Sequence, residues 1–402
     1  MKSENLKIQA QTLLAPADIK INGSNPWDIQ VHNPNFYQRV FTKGSLGLGE
    51  SYMEGWWDCQ ALDQFFDRLL LADVTSKVKI PLPVMLGLAK ERLFNLQAIS
   101  RAFEVGKKHY DLGNDFFEAM LGKSMAYSCG YWKEAQDLDS AQFAKFDLIC
   151  KKLNLQKGQK ILDIGSGWGS FAKYAAENYG VSVVGVTVSK EQLMFAQEAC
   201  KGLPVEFRLQ DYRALGEPFD HIVSVGMFEH VGVKNYTTYM QVVRRCLKKD
   251  GLFLLHTIGS KQSSYGTDPW LGKYIFPNSM LPSLAQIAKS CEKNFVIEDV
   301  HNFGANYDKT LMAWHQNFQT HWSRSQSDTG SRINLISSNL SGAEFSGYKS
   351  APGSAQKYGP TFYRMWEYYL LSCAGLFRSR DIQLWQIVLS ANGVRGGYKS
   401  MR

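Results

Sequence analysis

Residues 160–169 read KILDIGSGWG, a short apolar strand that runs straight into a turn with three glycines. An amphipathic segment, Phe171 to Asn178, follows, so the turn lies between a strand and a helix. A strand that feeds a helix through a tight turn opens a βα crossover, and crossovers require a mostly parallel sheet covered by helices. Glycines let the backbone approach a ligand, and the helix start offers unpaired N–H groups. A GxGxG turn alone also suits a purely structural turn that binds nothing. A dinucleotide site uses GxGxxG with an acid about 20 residues further on. Here the next predicted strand, 182–186, leads into Thr187-Val188-Ser189-Lys190-Glu191-Gln192, with no acid at its tip.

From about residue 140 the pattern is strand–helix alternation. Strands are predicted at 160–164, 182–186, 205–209, 220–226, 251–257, 295–303 and 382–390, and helices at 140–153, 169–179, 189–200, 235–248 and 283–291. The spacing LDxGxGxG, with Asp163 before the first glycine, resembles motif I of class I S-adenosylmethionine (SAM) methyltransferases. The fold expected is therefore α/β: a seven-stranded, mostly parallel sheet with one antiparallel hairpin at its end, plus a smaller, mainly helical N-terminal domain. In such sheets ligands collect beyond the carboxyl ends of the strands.

At 402 residues two domains are expected, with a boundary near residue 100. Residues 1–100 hold short helical stretches, a Pro81-Leu82-Pro83 joint and an apolar-faced segment over 84–97. Adjacent Trp56 and Trp57 suit either a core or an interfacial role. Residues 323–360, rich in Ser and Gly with Pro352 and Pro360, have the composition of a flexible insertion. The polar start, Met1 to Gln11, reads as no signal peptide, and no apolar run approaches the roughly 20 residues that span a bilayer. Seven scattered cysteines without a CxxC pair support neither a disulfide framework nor a zinc site, and suit a cytoplasmic protein. The net charge of +8 suits an anionic partner. No nucleic-acid-binding signature accompanies it; the charge permits a membrane surface and equally suits a merely soluble basic surface.

The groups able to do chemistry lie at strand ends. Glu229 follows the fourth predicted strand and His256 ends the fifth; Tyr127-Ser128-Cys129-Gly130-Tyr131-Trp132 precedes the sheet, and Tyr307 follows the sixth strand. A carboxylate and an imidazole on neighbouring strand ends can place or activate a base.

Taken together, GSLGLGESYMEGWWD (44–58), KHYDLGNDFF (108–117), YSCGYW (127–132), LDIGSGWG (162–169), VGMFEHVG (225–232), LLHTIGS (254–260), KYIFPN (273–278) and RDIQLWQ (380–386) resemble the cyclopropane-fatty-acyl-phospholipid synthase family. The resemblance covers about 15–322 and 361–390. It implies transfer of the SAM methyl group to the cis double bond of an unsaturated acyl chain in a membrane phospholipid, with ring closure and a bicarbonate ion as base. The matching base positions are Glu229, His256 and Tyr307, with the backbone N–H groups of Cys129 and Ile258. The cofactor positions are Tyr127, Ser128, Asp163, Gly165, Gly167, Trp168, Gly169, Thr187, Gln192, Asp211 and Tyr212. Cys373 matches a cysteine sometimes named as catalytic, although a thiol among Leu, Ala and Phe reads better as core. Ser166 for a frequent cysteine, and Gly130 for a frequent alanine, read as mild departures. The resemblance further implies a lipid-engaging N-terminal domain, a homodimer, and peripheral association with the inner face of the cell membrane. SAM-dependent methyl branching of the same lipids, without ring closure, is the alternative; a lipid binder without turnover is a second.

Overall fold

The computed structural model describes residues 2–74, 113–336 and 359–402. The Pro81-Leu82-Pro83 joint, the segment 84–97 and residues 337–358 of the Ser/Gly-rich stretch lie outside them.

The N-terminal part is helical: α1 (Lys2–Leu14), α2 (Asn35–Lys43), α3 (Ser45–Met53) and α4 (Leu62–Leu71), with a two-stranded ribbon of β1 (Gln30–Val31) and β2 (Trp57–Asp58). Trp57 is fully buried, edge-on to Tyr52, whereas Trp56 is partly buried beneath the Arg39 guanidinium. Core packing is thus what the Trp pair does here.

Helices α5 (Asn114–Leu121) and α6 (Leu138–Lys152) lead into the sheet. Its strands are β3 (Lys160–Ile164), β4 (Ser182–Thr187), β5 (Val205–Leu209), β6 (His221–Val225), β7 (Leu252–Ser260), β8 (Val296–Asn302) and β9 (Ile382–Ser390). Their spatial order is β5-β4-β3-β6-β7-β9-β8, parallel except that β9 runs antiparallel between β7 and β8. Continuous apolar runs such as Val183–Val184 suit strands buried on both faces. On one face α6 and α7 (Ser170–Tyr179) cover Ile161, Val183, Val223 and Leu254; on the other α9 (Tyr236–Cys246) and α11 (Leu284–Cys291) cover Leu162, Ile164, Phe253 and Leu255. Helix α8 (Lys190–Ala199) is N-capped by Ser189, and α11 by a Ser283–Gln286 capping box. The short α10 (Pro269–Tyr274) follows β7.

A third layer joins the two ends of the chain. Helices α12 (Ala305–Ile336) and α13 (Pro360–Arg378) share one apolar core with the N-terminal helices, through Phe65, Phe66, Trp314, Trp366 and Tyr368. Two expectations are corrected. Strand β7 runs three residues beyond 257, because Ser260 pairs with Ile382 of β9 and its N–H donates to the Pro282 carbonyl. The composition from 323 onward does not break the chain there: α12 continues to Ile336, no proline interrupting it.

Candidate active site

The strand order reverses at β3, whose neighbours are β4 and β6, and a cavity of about 540 Å³ opens beyond the carboxyl ends of these strands. Its floor is the turn predicted from sequence. Gly165 has φ +85° and a Cβ there would meet Met227 at 2.8 Å, while Gly167 has φ +53° and nothing within 4 Å, so its backbone faces open space. Both conformations favour glycine. Trp168 folds back onto Phe117 and donates its indole N–H to Asn114 at 2.9 Å. Asp163 is buried beneath the turn, and burial raises its carboxyl to about 7.

Tyr127, Ser128, Asp163, Gly165, Gly167, Trp168, Thr187, Gln192, Asp211 and Tyr212 all line this cavity, and so do Glu229, Ile258, Tyr307 and Cys373. Gly169, Cys129 and His256 do not line it. Gly169 instead caps α7 in the left-handed region. Thr187 lies 3.0 Å from the Gln192 carbonyl oxygen, which it donates to, leaving that amide's N–H groups for a ligand. Asp211 is partly committed: it accepts from the Arg213 backbone and pairs with its guanidinium, each at 2.9 Å.

The carboxylate expected to serve the base is held at both ends. Glu229 Oε1 accepts the Ile258 N–H at 2.7 Å, and the Glu229 carbonyl accepts the Met280 N–H at 2.8 Å. The Ile258 amide, expected to face an anion, therefore orients Glu229. The second oxygen, Oε2, is buried without a hydrogen-bond partner among the described residues, and burial raises the group to about 7. His256 is buried on β7, opposite Gln386 of β9, whose amide reaches Nδ1 at 3.3 Å; Nε2 is buried without a hydrogen-bond partner among the described residues. Burial first, then Lys145 and Lys152, depress its pKa, so the ring is neutral. Tyr307, in the first turn of α12, stacks on Phe377 at 4.4 Å. Burial, then the neighbouring Cys129, Tyr127, Glu229 and Cys373, hold its phenol protonated. Burial pushes Cys373 up to about 12, which suits a core thiol rather than a nucleophile.

Two helices clamp the 126–132 loop that precedes the sheet. From α12, Thr310 accepts the Gly130 N–H at 3.1 Å and Asn306 the Trp132 N–H at 2.6 Å. From α6, the Gln142 amide donates to the Ser128 carbonyl at 2.7 Å and Lys145 donates to the Ser128 hydroxyl at 2.7 Å. Sequence reading missed Gln142 and Lys145, although two polar side chains three apart on the core stripe of α6 were the available signal. Among the described residues no cluster of His, Cys, Asp or Glu suits a metal ion, and no helix is long and apolar enough to cross a membrane.

A sheet of this order, with a glycine turn over a buried acid at its switch point, defines a class I SAM-dependent methyltransferase. The family model described as mycolic acid cyclopropane synthetase matches residues 97–337. The chain is 54% identical over 393 residues to the cyclopropane-fatty-acyl-phospholipid synthase of Escherichia coli (strain K12), covering 98% of this chain and 95% of that protein. Two solved structures are similar. One is the cyclopropane synthase MmaA2 from Mycobacterium tuberculosis, 28% identical with a TM-score of 0.61, covering 74% of this chain and 99% of that one. The other is mycolic acid cyclopropane synthase CmaA1 complexed with SAH and CTAB, 30% identical with a TM-score of 0.58, covering 71% and 97%. The chain belongs to the cyclopropane-fatty-acyl-phospholipid synthase family.

Proposed function

We propose that this enzyme converts the cis double bond of an unsaturated acyl chain, in an intact phospholipid, to a cyclopropane ring, with bicarbonate as the base. SAM, when bound, supplies an electrophilic methyl carbon; bicarbonate, when bound, supplies an oxygen base small enough for an enclosed site. The alkene's π pair would form the new bond to that methyl carbon as its bond to sulfur breaks, and loss of one proton to the base would close the ring.

The observation that carries this reading is a pair of buried orphan atoms, Glu229 Oε2 and His256 Nε2, on neighbouring strand ends. A small anion bearing one O–H answers both. Gln386, donating to Nδ1, leaves the ring proton on Nε2, so His256 would donate to the anion while Glu229 accepts its hydroxyl. Tyr307 and the Cys129 N–H would complete the cradle. For the cofactor, the Gly165–Gly167 backbone, Gln192 and Asp211 offer donors and acceptors suited to a nucleoside and an amino acid. Leu271, Phe276, Leu311 and Phe377 in the cavity wall would exclude water from a developing carbocation.

The enzyme would work as a homodimer at the inner face of the membrane, its N-terminal helices passing an acyl chain to the cavity. The apolar core that these helices share with Tyr307, Leu311, Tyr369 and Phe377 of the cavity wall supports that route. Vesicles of unsaturated phospholipid and methyl-labelled SAM, assayed with bicarbonate depleted and restored, test the reading. The expected result is label in lipid, upfield cyclopropane methylene protons by NMR, and a rate restored by bicarbonate. Label in an unsaturated methyl branch would favour branching, and none in lipid would overturn the reading.

A further inference from the structure

Helix α6 presents Ala141, Gln142, Lys145, Phe146 and Ile149 to an apolar seam against the sheet, and the Lys145 side chain has no exposure there. Burying an ammonium costs several kcal/mol unless its donors are satisfied. Its donors converge on one place. Nζ gives one bond to the Ser128 hydroxyl at 2.7 Å and one to the Gln142 carbonyl oxygen at 2.6 Å, and lies 4.6 Å from the centroid of the Phe146 ring. Gln142 completes the clamp by donating to the Ser128 main-chain oxygen. Both oxygens of a single cavity-lining residue are thus held by two side chains one helical turn apart.

Ser128 is flanked by Tyr127, also in the cavity wall, and by Cys129, whose N–H enters no hydrogen bond among the described residues. The Lys145 charge is felt by Asp163 under the glycine turn and by His256 on β7. Burial holds the Lys145 amine down to about 7, and its two bonds go to Ser128 and Gln142. Lys152, on the same helix and equally buried, is directed elsewhere: its Nζ lies 3.0 Å from His301 and 4.0 Å from Asp299, beside the C-terminal tail.

We propose that Lys145 is a positioning residue for methyl transfer: with Gln142 it fixes the 126–132 loop in the form that presents Tyr127 and Ser128 to the cofactor. The inference rests on the cofactor role given above to Tyr127 and Ser128.

The test is calorimetric titration of the full-length protein with S-adenosylhomocysteine, alongside turnover on unsaturated vesicles. Lys145→Met is expected to weaken S-adenosylhomocysteine at least tenfold and to lower kcat about a hundredfold. Lys152→Met, which also removes a buried lysine, is expected to lower the Tm while leaving that Kd within about twofold, as local additivity requires. An unchanged Kd in Lys145→Met, or equal weakening in both variants, overturns the proposal. If Lys145→Met does not fold, Gln142→Met decides: the same weakening supports the clamp and an unchanged Kd refutes it. Failure of the unaltered protein to bind S-adenosylhomocysteine would instead sink the cofactor assignment on which the inference stands.

Discussion

The backbone N–H of Ile258 donates to Glu229 Oε1 at 2.7 Å, tying the acid that follows β6 to the main chain of β7. Val225 pairs with His256 across the same two strands. Residues two apart on a strand share a face, so His256 and Ile258 are fixed relative to each other by the pleat, and Glu229 by its bond to Ile258. The acid and the imidazole are therefore spaced by sheet register rather than by flexible loops. A register slip of one residue would send the histidine to the opposite face.

Glu229→Gln is expected to separate stability from turnover. The folded carboxyl titrates near 7, raised by burial from a reference of 4.5. A raised folded pKa contributes stability that is fully present below the unfolded value and is lost as pH rises through the folded one. The variant lacks that dependence, so relative to the unaltered protein it should gain stability between about pH 4.5 and 8, by up to about 3 kcal/mol. Urea unfolding at both ends of that range measures the gain. Turnover should fall at least about a hundredfold while SAM affinity holds; equal loss of both would contradict the assigned role.

Gln386→Leu probes the partner of His256. Gln386 is fully buried, and its Oε1 has no hydrogen-bond partner among the described residues. An apolar replacement removes that orphan atom but strands the buried His256 Nδ1, so stability should fall by at most about 1–3 kcal/mol. It also removes the donor that sets the His256 tautomer, and kcat should drop about tenfold or more at constant KM for SAM. A loss confined to KM would assign Gln386 to the cofactor instead.

The sheet was legible because its central strands are buried and bounded by glycine turns and helix caps; β3, β5 and β9 fall where periodicity places them. The cavity lining was legible because Thr187 ends a strand and Glu229 and Asp211 each follow one, where this topology gathers side chains. What could not be read is contact across distant segments. That Ile258 would serve Glu229, or Lys145 serve Ser128, depends on how α6 and β7 dock, and no local pattern encodes that. The end of β7 was missed for a similar reason, since Ser260 is held by Pro282 and Ile382. The composition of 323–336 misled because Ser-rich sequence without proline is weakly, not strongly, averse to helix.

Gly130→Ala is expected to be costlier than its modest chemistry suggests. A Cβ at Gly130 would lie 2.9 Å from the Ala141 Cβ, and Ala141 also accepts the Tyr131 N–H at 2.8 Å, so neither backbone moves easily. Overpacking of this kind costs about 1–3 kcal/mol. Because the strain falls on the loop that carries Ser128, cofactor affinity should weaken along with stability. Adding Ala141→Gly should recover the affinity while keeping part of the stability loss, since glycine disfavours the helix by about 1 kcal/mol.

Arg378, at the end of α13, joins the N-terminal part to the site. Its guanidinium grips Asp308 of α12 through two bonds of 2.9 Å and Asp63 of α4 through one of 2.6 Å. Asp308 directly follows Tyr307, so this fork anchors the turn that holds the phenol. Arg378→Met strands two partly buried carboxylates and should cost about 1–3 kcal/mol, less than a fully buried pair because the arginine is 29% exposed. Asp63→Ala removes only the bond to α4 and leaves the bidentate grip intact. It should leave turnover on short soluble substrates unchanged and make the N-terminal helices easier to cleave in limited proteolysis. Arg378→Met should add a fall in kcat, because the Tyr307 turn is released as well; if both variants lose turnover equally, the N-terminal contact itself, rather than the anchoring of Tyr307, sets the rate.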